Sequence, residues 1–171
     1  MPIATKSSRI NISRESKTKS IAEIFAKNLI SGDILLFNGE LGVGKTTFIK
    51  YLINSFQKNY NQAITEIPSP TFNLVNEYQI KKLIIKHYDL YRLNNEDDLK
   101  NIGIFENIIN QITLIEWPKI IKNHKIKKTI NLYFEYSKDY DKRFVTFSTI
   151  NNNSFINEIK YFKKIIWRCI F

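Results

Sequence analysis

Residues 39–46 have the sequence GELGVGKT and match the pattern GxxxxGK[ST] at every fixed position. Three of the chain's five glycines lie in this stretch. Such glycines let a loop turn its backbone N–H groups toward one anion at a helix N-terminus, while the lysine reaches phosphates and the hydroxyl binds Mg²⁺. A glycine turn of purely structural role is the alternative. We favour a nucleoside triphosphate site, whose candidate contacts are Gly39, Glu40, Leu41, Gly42, Val43, Gly44, Lys45, Thr46 and Thr47.

The residues on either side of this loop predict the fold. Residues 33–38 (DILLFN) form a short apolar run typical of a buried strand, and apolar residues at helical spacing follow from Phe48 to Phe56. Another helical pattern covers residues 16–30. A strand, a glycine-rich loop and a helix in this order indicate an α/β fold. We expect a single P-loop NTPase domain over residues 1–150, in three layers, with a central mixed and mostly parallel β-sheet flanked by helices.

Further elements can be predicted along the chain. We expect strands over residues 72–78, 83–88, 112–115, 129–136 and 143–150, the start of a helix at 94–100 and a helix over 154–166. The last helix belongs to a basic, amphipathic C-terminal extension, residues 151–171. We favour its packing on the same domain over binding to a partner or tRNA, and over lying on a membrane surface.

The composition excludes several classes of protein. One cysteine, Cys169, allows neither a disulfide framework nor a CxxC-type zinc site. The N-terminus lacks the apolar stretch of a secretory signal, and no apolar run reaches the length of a membrane span. We therefore expect a cytoplasmic protein without a membrane partner.

The formal net charge of +10 is unevenly distributed. Residues 1–118 carry 14 basic and 12 acidic side chains, whereas residues 119–171 carry 12 and 4. Lysine, isoleucine and asparagine are all abundant and share A/T-rich codons, so the charge alone is not sufficient evidence for nucleic-acid binding. The excess of basic residues lies in the last third of the chain.

Two carboxylates follow predicted strands and are candidates for Mg²⁺ binding and catalysis beside Lys45. Glu116 follows the apolar run 112–115, as a Walker B acid does, and Asp89 follows the strand 83–88 within HYDLYR. Mg²⁺ takes few protein ligands beside phosphates, so one acid can act through water. An ordinary solvated carboxylate is the alternative for either acid, and the sequence does not say which would bind the metal directly.

The segment IPSPTF, residues 67–72, lies between the helix after the glycine-rich loop and the strand that ends at Asp89. GTPase-like folds carry a switch segment that senses the γ-phosphate at this place. Two prolines would stiffen the approach and leave the Thr71 hydroxyl to meet the metal or the γ-phosphate. A proline-rich surface turn is the alternative.

The class of NTPase follows from what the sequence lacks. Guanine-specific switches carry an NKxD element, which does not occur here, and phosphoryl transferases use several arginines, of which only Arg92 lies near the predicted site. Adenine is therefore favoured over guanine, and water over a second nucleotide as the acceptor. Weak intrinsic hydrolysis completed by a partner fits the missing arginines.

The segments GELGVGKTTF, PSPTFNLVNEY, HYDLYRL and LIEWP, in this order and at this spacing, resemble the TsaE family. TsaE is the small ATPase subunit of the bacterial machinery that makes threonylcarbamoyladenosine in tRNA. The resemblance covers about residues 8 to 150. It implies ATP and Mg²⁺ as cofactors, and hydrolysis that is weak alone and stimulated by the TsaD–TsaB pair. It also implies contact with tRNA only through that complex, and a monomer when free.

The resemblance also assigns residues. Thr46, Glu116 and Asp89 would hold the metal, the two acids would join Lys45 as the catalytic set, and Thr71 would belong to the switch. Trp117 follows the Walker acid as in the family, although a tryptophan there can equally serve packing. Two positions depart from the family pattern: Lys119 replaces an acidic or amide residue, and Arg143, a candidate adenine contact, follows Asp-Lys instead of glycine.

Two other functions fit the residues alone. A P-loop small-molecule kinase would phosphorylate an acceptor without protein partners, and a basic RNA-binding module would carry a vestigial phosphate loop. A screen for phosphoryl acceptors separates the kinase from the ATPase. Strong, Mg²⁺-dependent ATP binding would exclude the RNA-binding module.

Overall fold

Eight strands, three α-helices and two short 3₁₀ helices form the part of the chain that the computed structural model describes, residues 4–6, 9–95, 97–121 and 129–150. The 3₁₀ helices cover Ile108–Asn110 and Pro118–Ile121. In chain order the other elements are β1 (Ala4–Lys6), β2 (Ile10–Asn11), α1 (Glu15–Asn28), β3 (Ile34–Asn38), α2 (Lys45–Asn59), β4 (Val75–Ile80), β5 (Leu83–Asp89), α3 (Asp97–Asn101), β6 (Gln111–Glu116), β7 (Thr129–Tyr136) and β8 (Arg143–Ile150).

The strands form one mixed sheet with a parallel centre. Its order is β1-β8-β7-β3-β6-β5-β4, and β2 also pairs with β8. The strands β7, β3, β6 and β5 run parallel to their neighbours within this group, while β4 and the pairs of β8 are antiparallel. The C-terminal ends of β3, β6 and β5 therefore meet at one edge, where open α/β sheets bind ligands.

Helices and loops cover both faces of the sheet, because side chains alternate along each buried strand. In β3, Phe37 contacts Phe48 of α2, with ring centroids 5.9 Å apart, and Phe48 contacts Phe25 of α1 at 5.5 Å. Ile34 faces the other way and packs in a second cluster with Leu99 of α3. The predicted three-layer α/β domain with a mixed sheet is therefore confirmed, and the parallel pairing lies in the centre of the sheet.

Most of the predicted elements are present, with shifted ends. The strands over 129–136 and 143–150 match β7 and β8, and the predicted helix 16–30 is α1. The strand predicted over 72–78 is wrong at its start, since β4 begins at Val75. Leu74 has a positive φ of 63° and donates its N–H to Pro70 O at 2.6 Å, so the proline segment continues as a turn up to that residue.

The strands β1 and β2 were not expected, because two or three residues are too few to show an alternating pattern. The predicted helix over 154–166, with the rest of the extension 151–171, lies outside the described residues. Among the helices that the structure describes, none has the length and apolar character needed to span a bilayer.

Candidate functional site

The glycine-rich loop connects β3 to α2 at the edge where the parallel strands end. Gly39, Gly42 and Gly44 all have positive φ, at 143°, 73° and 111°, so each adopts backbone that L side chains rarely take. Gly44 is the N-cap of α2, which begins at Lys45. The free N–H groups of the first helical turn and its dipole favour an anion here. The loop can therefore hold a phosphate.

Gly39 is the loop position that tolerates substitution least. A Cβ built on Gly39 would lie 2.5 Å from Phe134 O, whereas one on Gly44 would meet nothing within 4 Å. We expect Gly39→Ala to lower the free energy of unfolding by about 3 kcal/mol or more, from backbone strain and the clash together. Gly44→Ala, with strain alone, should lower it by about 1–2 kcal/mol. Urea unfolding of both variants tests this, and equal losses would contradict it.

Lys45 lies at the centre of the site with its charge buried. Its side chain is 4% exposed, and Nζ donates to Gly39 O at 3.0 Å and to Glu40 O at 2.7 Å. Nζ also lies 3.8 Å from the centroid of the Trp117 ring. Burial lowers the pKa of Lys45 below that of an exposed lysine, and the nearby charges of Glu116 and Asp89 oppose this shift without reversing it. The ammonium is thus held inside the loop, where an anion would restore a favourable environment.

Thr46 and Glu116 are brought into direct contact. Glu116 ends β6, is 2% exposed and lies beside Phe37 in the pairing with β3. The Thr46 hydroxyl lies 2.8 Å from Oε1 and 3.0 Å from Oε2 of this carboxylate, to which it donates. A hydroxyl and a carboxylate side by side are the hard oxygen donors that Mg²⁺ prefers.

Asp89 joins the same edge together with the proline segment. Asp89 pairs with Glu116 in the parallel register of β5 and β6 and is 4% exposed. Its Oδ2 accepts from Thr71 Oγ1 at 2.8 Å and from Ser69 Oγ at 3.2 Å, and its Oδ1 accepts from Tyr91 N at 3.0 Å. The sequence singled out Thr71 but missed Ser69, although both hydroxyls stand in the same PSPT segment. The sequence feature that could have indicated Ser69 is its position two residues before Thr71 in a stiff, proline-rich turn.

These donors fit a magnesium ion held jointly with phosphates. Within residues 9–95, 97–121 and 129–149, no group of three or more His, Cys, Asp or Glu side chains is arranged to hold a metal by itself. Mg²⁺ needs no such group, because it usually takes one or two carboxylates and completes its shell with phosphate oxygens and waters. Thr46, Glu116 and Asp89 are the residues that can hold it here.

A cavity of about 200 Å³ opens beside the start of α2. Thr47 and Arg143, which the sequence proposed as nucleotide contacts, both lie in its wall. Other parts of the wall come from the segment between β2 and α1 and from the first turn of α1, which the sequence did not single out. The lining residues are Ile12, Ser13, Glu15, Thr18, Val43, Gly44, Thr47 and Arg143.

Hydrogen bonds between the segment before α1 and the start of β8 hold together one side of this cavity. Ile12 N donates to Arg143 O at 2.8 Å, and Arg143 N donates to Ser13 Oγ at 3.0 Å. Leu41 of the glycine-rich loop, in contrast, is 73% exposed and does not line this cavity. The site thus comprises a phosphate loop, an acidic edge and an adjoining cavity.

Aromatic side chains surround the acidic edge. The Trp117 ring, which contacts Lys45, also lies 4.8 Å from the Tyr91 ring between centroids. Arg92, the arginine expected near the site, is exposed, with its guanidinium 4.5 Å from the centroid of the Phe72 ring. Trp117 thus serves packing and also covers the buried lysine. His87, which the sequence did not connect with the site, contacts Glu116 through Nε2.

Comparison with known proteins places this site in a family. The model of the family "Threonylcarbamoyl adenosine biosynthesis protein TsaE" matches residues 12–145. A Rickettsia felis protein named tRNA threonylcarbamoyladenosine biosynthesis protein TsaE is 36% identical over 143 residues, which are 84% of this chain and 81% of that protein. The Bacillus subtilis protein of the same name is 33% identical over 138 residues, covering 80% of this chain and 82% of the relative.

A solved structure agrees with the sequence matches. The crystal structure of Bacillus subtilis YdiB has a TM-score of 0.71 and 27% identity, and the alignment covers 95% of this chain and 98% of that one. The family resemblance that the four sequence segments indicated is thereby confirmed. Since the matched region contains the glycine-rich loop, both acids of the sheet edge and the start of β8, the chain belongs to the TsaE family.

Proposed function

We propose that this protein is the ATPase subunit that works with the TsaD–TsaB pair in making threonylcarbamoyladenosine in tRNA. The observation that carries the ATPase part is the contact between Thr46, at the start of α2, and the Glu116 carboxylate, at the end of β6. Phosphate-binding loops place a metal-binding hydroxyl and a strand-end acid at this separation. The tRNA part rests on the names of the relatives.

The glycine-rich loop would bind the phosphates of ATP, and the adjoining cavity would bind its nucleoside. The backbone N–H groups of residues 39–46 and the Lys45 ammonium would bind the β- and γ-phosphates. The cavity lined by Thr47 and Arg143 would take the nucleoside, since it adjoins the N-terminus of α2 where the phosphates enter. Adenine is our choice of base because the sequence has no NKxD element.

The buried acids provide for hydrolysis. Thr46 would give its oxygen to Mg²⁺, and the metal supplies charge neutralisation of the triphosphate when bound. Glu116, which is hydrogen-bonded to Thr46, would with Asp89 help to hold this metal or orient the attacking water. Thr71 lies against Asp89 in this structure. To bind a γ-phosphate, as a switch residue would, the Thr71 hydroxyl would exchange its hydrogen bond to Asp89 for one to the phosphate.

Dependence on partners follows from the shortage of arginines. Transition states of phosphoryl transfer are stabilised by arginine fingers, in cis or supplied by another protein. Arg92 is stacked on Phe72 and exposed, and Arg143 lies at the nucleoside cavity. We take neither as an arginine finger, so hydrolysis would be weak until TsaD–TsaB binds. The free protein is a cytoplasmic monomer and meets tRNA through that complex.

Steady-state ATP hydrolysis tests the proposal. We expect slow turnover by the protein alone, marked stimulation by purified TsaB–TsaD and loss of turnover when Mg²⁺ is removed with EDTA. Fast turnover without partners would contradict the partner dependence. Transfer of phosphate to a small-molecule acceptor would instead support a kinase.

A further inference from the structure

His87 is a buried polar residue that the proposed function does not yet use. It lies in β5 with 0% exposure, two residues before Asp89 and on the same face of the strand. In the parallel register of β5 and β6, His87 pairs with Leu114 and Asp89 with Glu116, so His87 is a diagonal neighbour of Glu116. Its Nε2 lies 2.9 Å from Glu116 Oε1.

The direction of this hydrogen bond follows from the chemistry of the partners. An ionised carboxylate only accepts hydrogen bonds, so Nε2 carries the proton and donates it to Oε1. Nδ1 is buried and has no hydrogen-bond partner among the residues that the structure describes. Because Nδ1 makes no other bond, the contact with Glu116 is the polar interaction that orients the ring.

Glu116 in turn is held from two sides. His87 donates to Oε1 from β5, and the Thr46 hydroxyl donates to the carboxylate from α2. The three side chains thus form a chain from a buried imidazole through the strand-end acid to the first turn of α2. Without His87, one oxygen of a 2%-exposed carboxylate would lose a donor, and the plane of the carboxylate would no longer be fixed.

We propose that His87 is a positioning residue, which fixes the carboxylate of Glu116 so that the Thr46 oxygen and Glu116 together face the metal bound with ATP. This inference rests on the proposed function, because it assumes that Mg²⁺ binds at Thr46 and Glu116. His87 itself touches neither metal nor nucleotide. Removing a group that orients a metal ligand in this way typically lowers metal affinity or activity by about 10–100-fold.

The hydrogen bond can be tested directly by nuclear magnetic resonance of ¹⁵N-labelled full-length protein without nucleotide. We expect a slowly exchanging imidazole N–H resonance, shifted downfield by the carboxylate. The chain has two histidines, so the resonance should disappear in His87→Gln and remain in His124→Gln. Glu116→Ala should shift it or expose it to exchange. Absence of the resonance from the wild type would overturn the inference.

The positioning role is tested by the Mg²⁺ dependence of ATP binding, measured by calorimetry. His87→Leu replaces the donor with an apolar side chain, and we expect it to raise the Mg²⁺ concentration for half-maximal effect by about tenfold or more. His87→Gln places an amide N–H where Nε2 was, and should restore most of the difference. ATP binding in EDTA should be the same in all three proteins.

Tyr88→Phe is the matched control. Tyr88 is the next residue of β5, is equally buried and has a hydroxyl without a hydrogen-bond partner among the described residues, but it faces the other side of the sheet. The Tyr88→Phe variant should leave the Mg²⁺ dependence of ATP binding unchanged. If His87→Leu and His87→Gln behave alike, or both match the wild type, the positioning role is wrong while the proposed function stands. If the wild type binds no Mg²⁺–ATP, the proposed function fails and the positioning role fails with it.

Discussion

Replacing Lys45 with methionine is expected to abolish ATP binding and hydrolysis while the protein remains folded. Methionine keeps most of the buried side chain but removes the ammonium, which would pair with the β- and γ-phosphates. Burial already lowers the pKa of Lys45, which means that the fold disfavours its charge relative to water. Losing that charge, together with the bonds to Gly39 O and Glu40 O, should change the free energy of unfolding by no more than about 1 kcal/mol.

Calorimetry with ATP and thermal unfolding with and without ATP provide the measurements for Lys45→Met. Lys50→Met is the matched control, since Lys50 lies exposed on the same helix and should bind ATP like the wild type. A variant at Lys45 that still gains thermal stability from ATP would show that the lysine does not bind the phosphates. A variant that fails to fold would show that Lys45 is needed by the loop itself.

The pH dependence of ATP binding offers a second check on Lys45. In the free protein its pKa is lowered, whereas bound phosphates would raise it again. Binding then takes up a proton wherever the pH lies between these two values, so affinity should fall as the pH rises through the lowered pKa of the free protein. Lys45→Met should lack this fall. An unchanged affinity across alkaline pH would contradict a charged contact.

The central part of the site could be predicted because its signals are local. The glycine-rich loop is defined by eight consecutive residues, and Glu116 and Asp89 each follow an apolar run that indicates a buried strand. Parallel strands that end at one edge then bring such acids together, whatever the details of packing. The register that places Asp89 beside Glu116 agrees with this reasoning.

The remaining parts depend on pairing between distant segments. The cavity wall joins Ile12 and Ser13 to Arg143 through β2 and β8, which are too far apart in sequence for any local pattern to connect them. His87 was not singled out in the sequence analysis, although its place two residues before Asp89, on the same strand face, was an informative feature. The predicted start of β4 was wrong because Leu74 adopts a positive φ, which an apolar residue rarely does.

Replacing Glu116 with glutamine is expected to lower ATP hydrolysis by at least about a hundredfold while ATP still binds. Glutamine has nearly the same shape, and its amide oxygen can still accept the hydrogen bonds of Thr46 and His87. What is lost is the negative charge that would hold the metal's ligands or orient water. That charge also repels a triphosphate in the absence of metal, so affinity for ATP in EDTA should rise or stay equal.

Glu116→Gln should lower hydrolysis and yet preserve or raise the affinity for ATP in EDTA. This combination makes the prediction specific, because a general loss of structure would weaken ATP binding both with and without Mg²⁺. The measurements are hydrolysis with TsaB–TsaD and calorimetry with and without Mg²⁺. Glu77→Gln is the control, since Glu77 is exposed on β4, where it pairs with the half-buried Lys86. This variant should behave like the wild type. If Glu116→Gln hydrolysed ATP at the wild-type rate, the acid of β6 would have no part in catalysis. If it lost ATP binding in EDTA as well, Glu116 would serve the structure of the loop, since the carboxylate would then be needed to hold Thr46 at the start of α2.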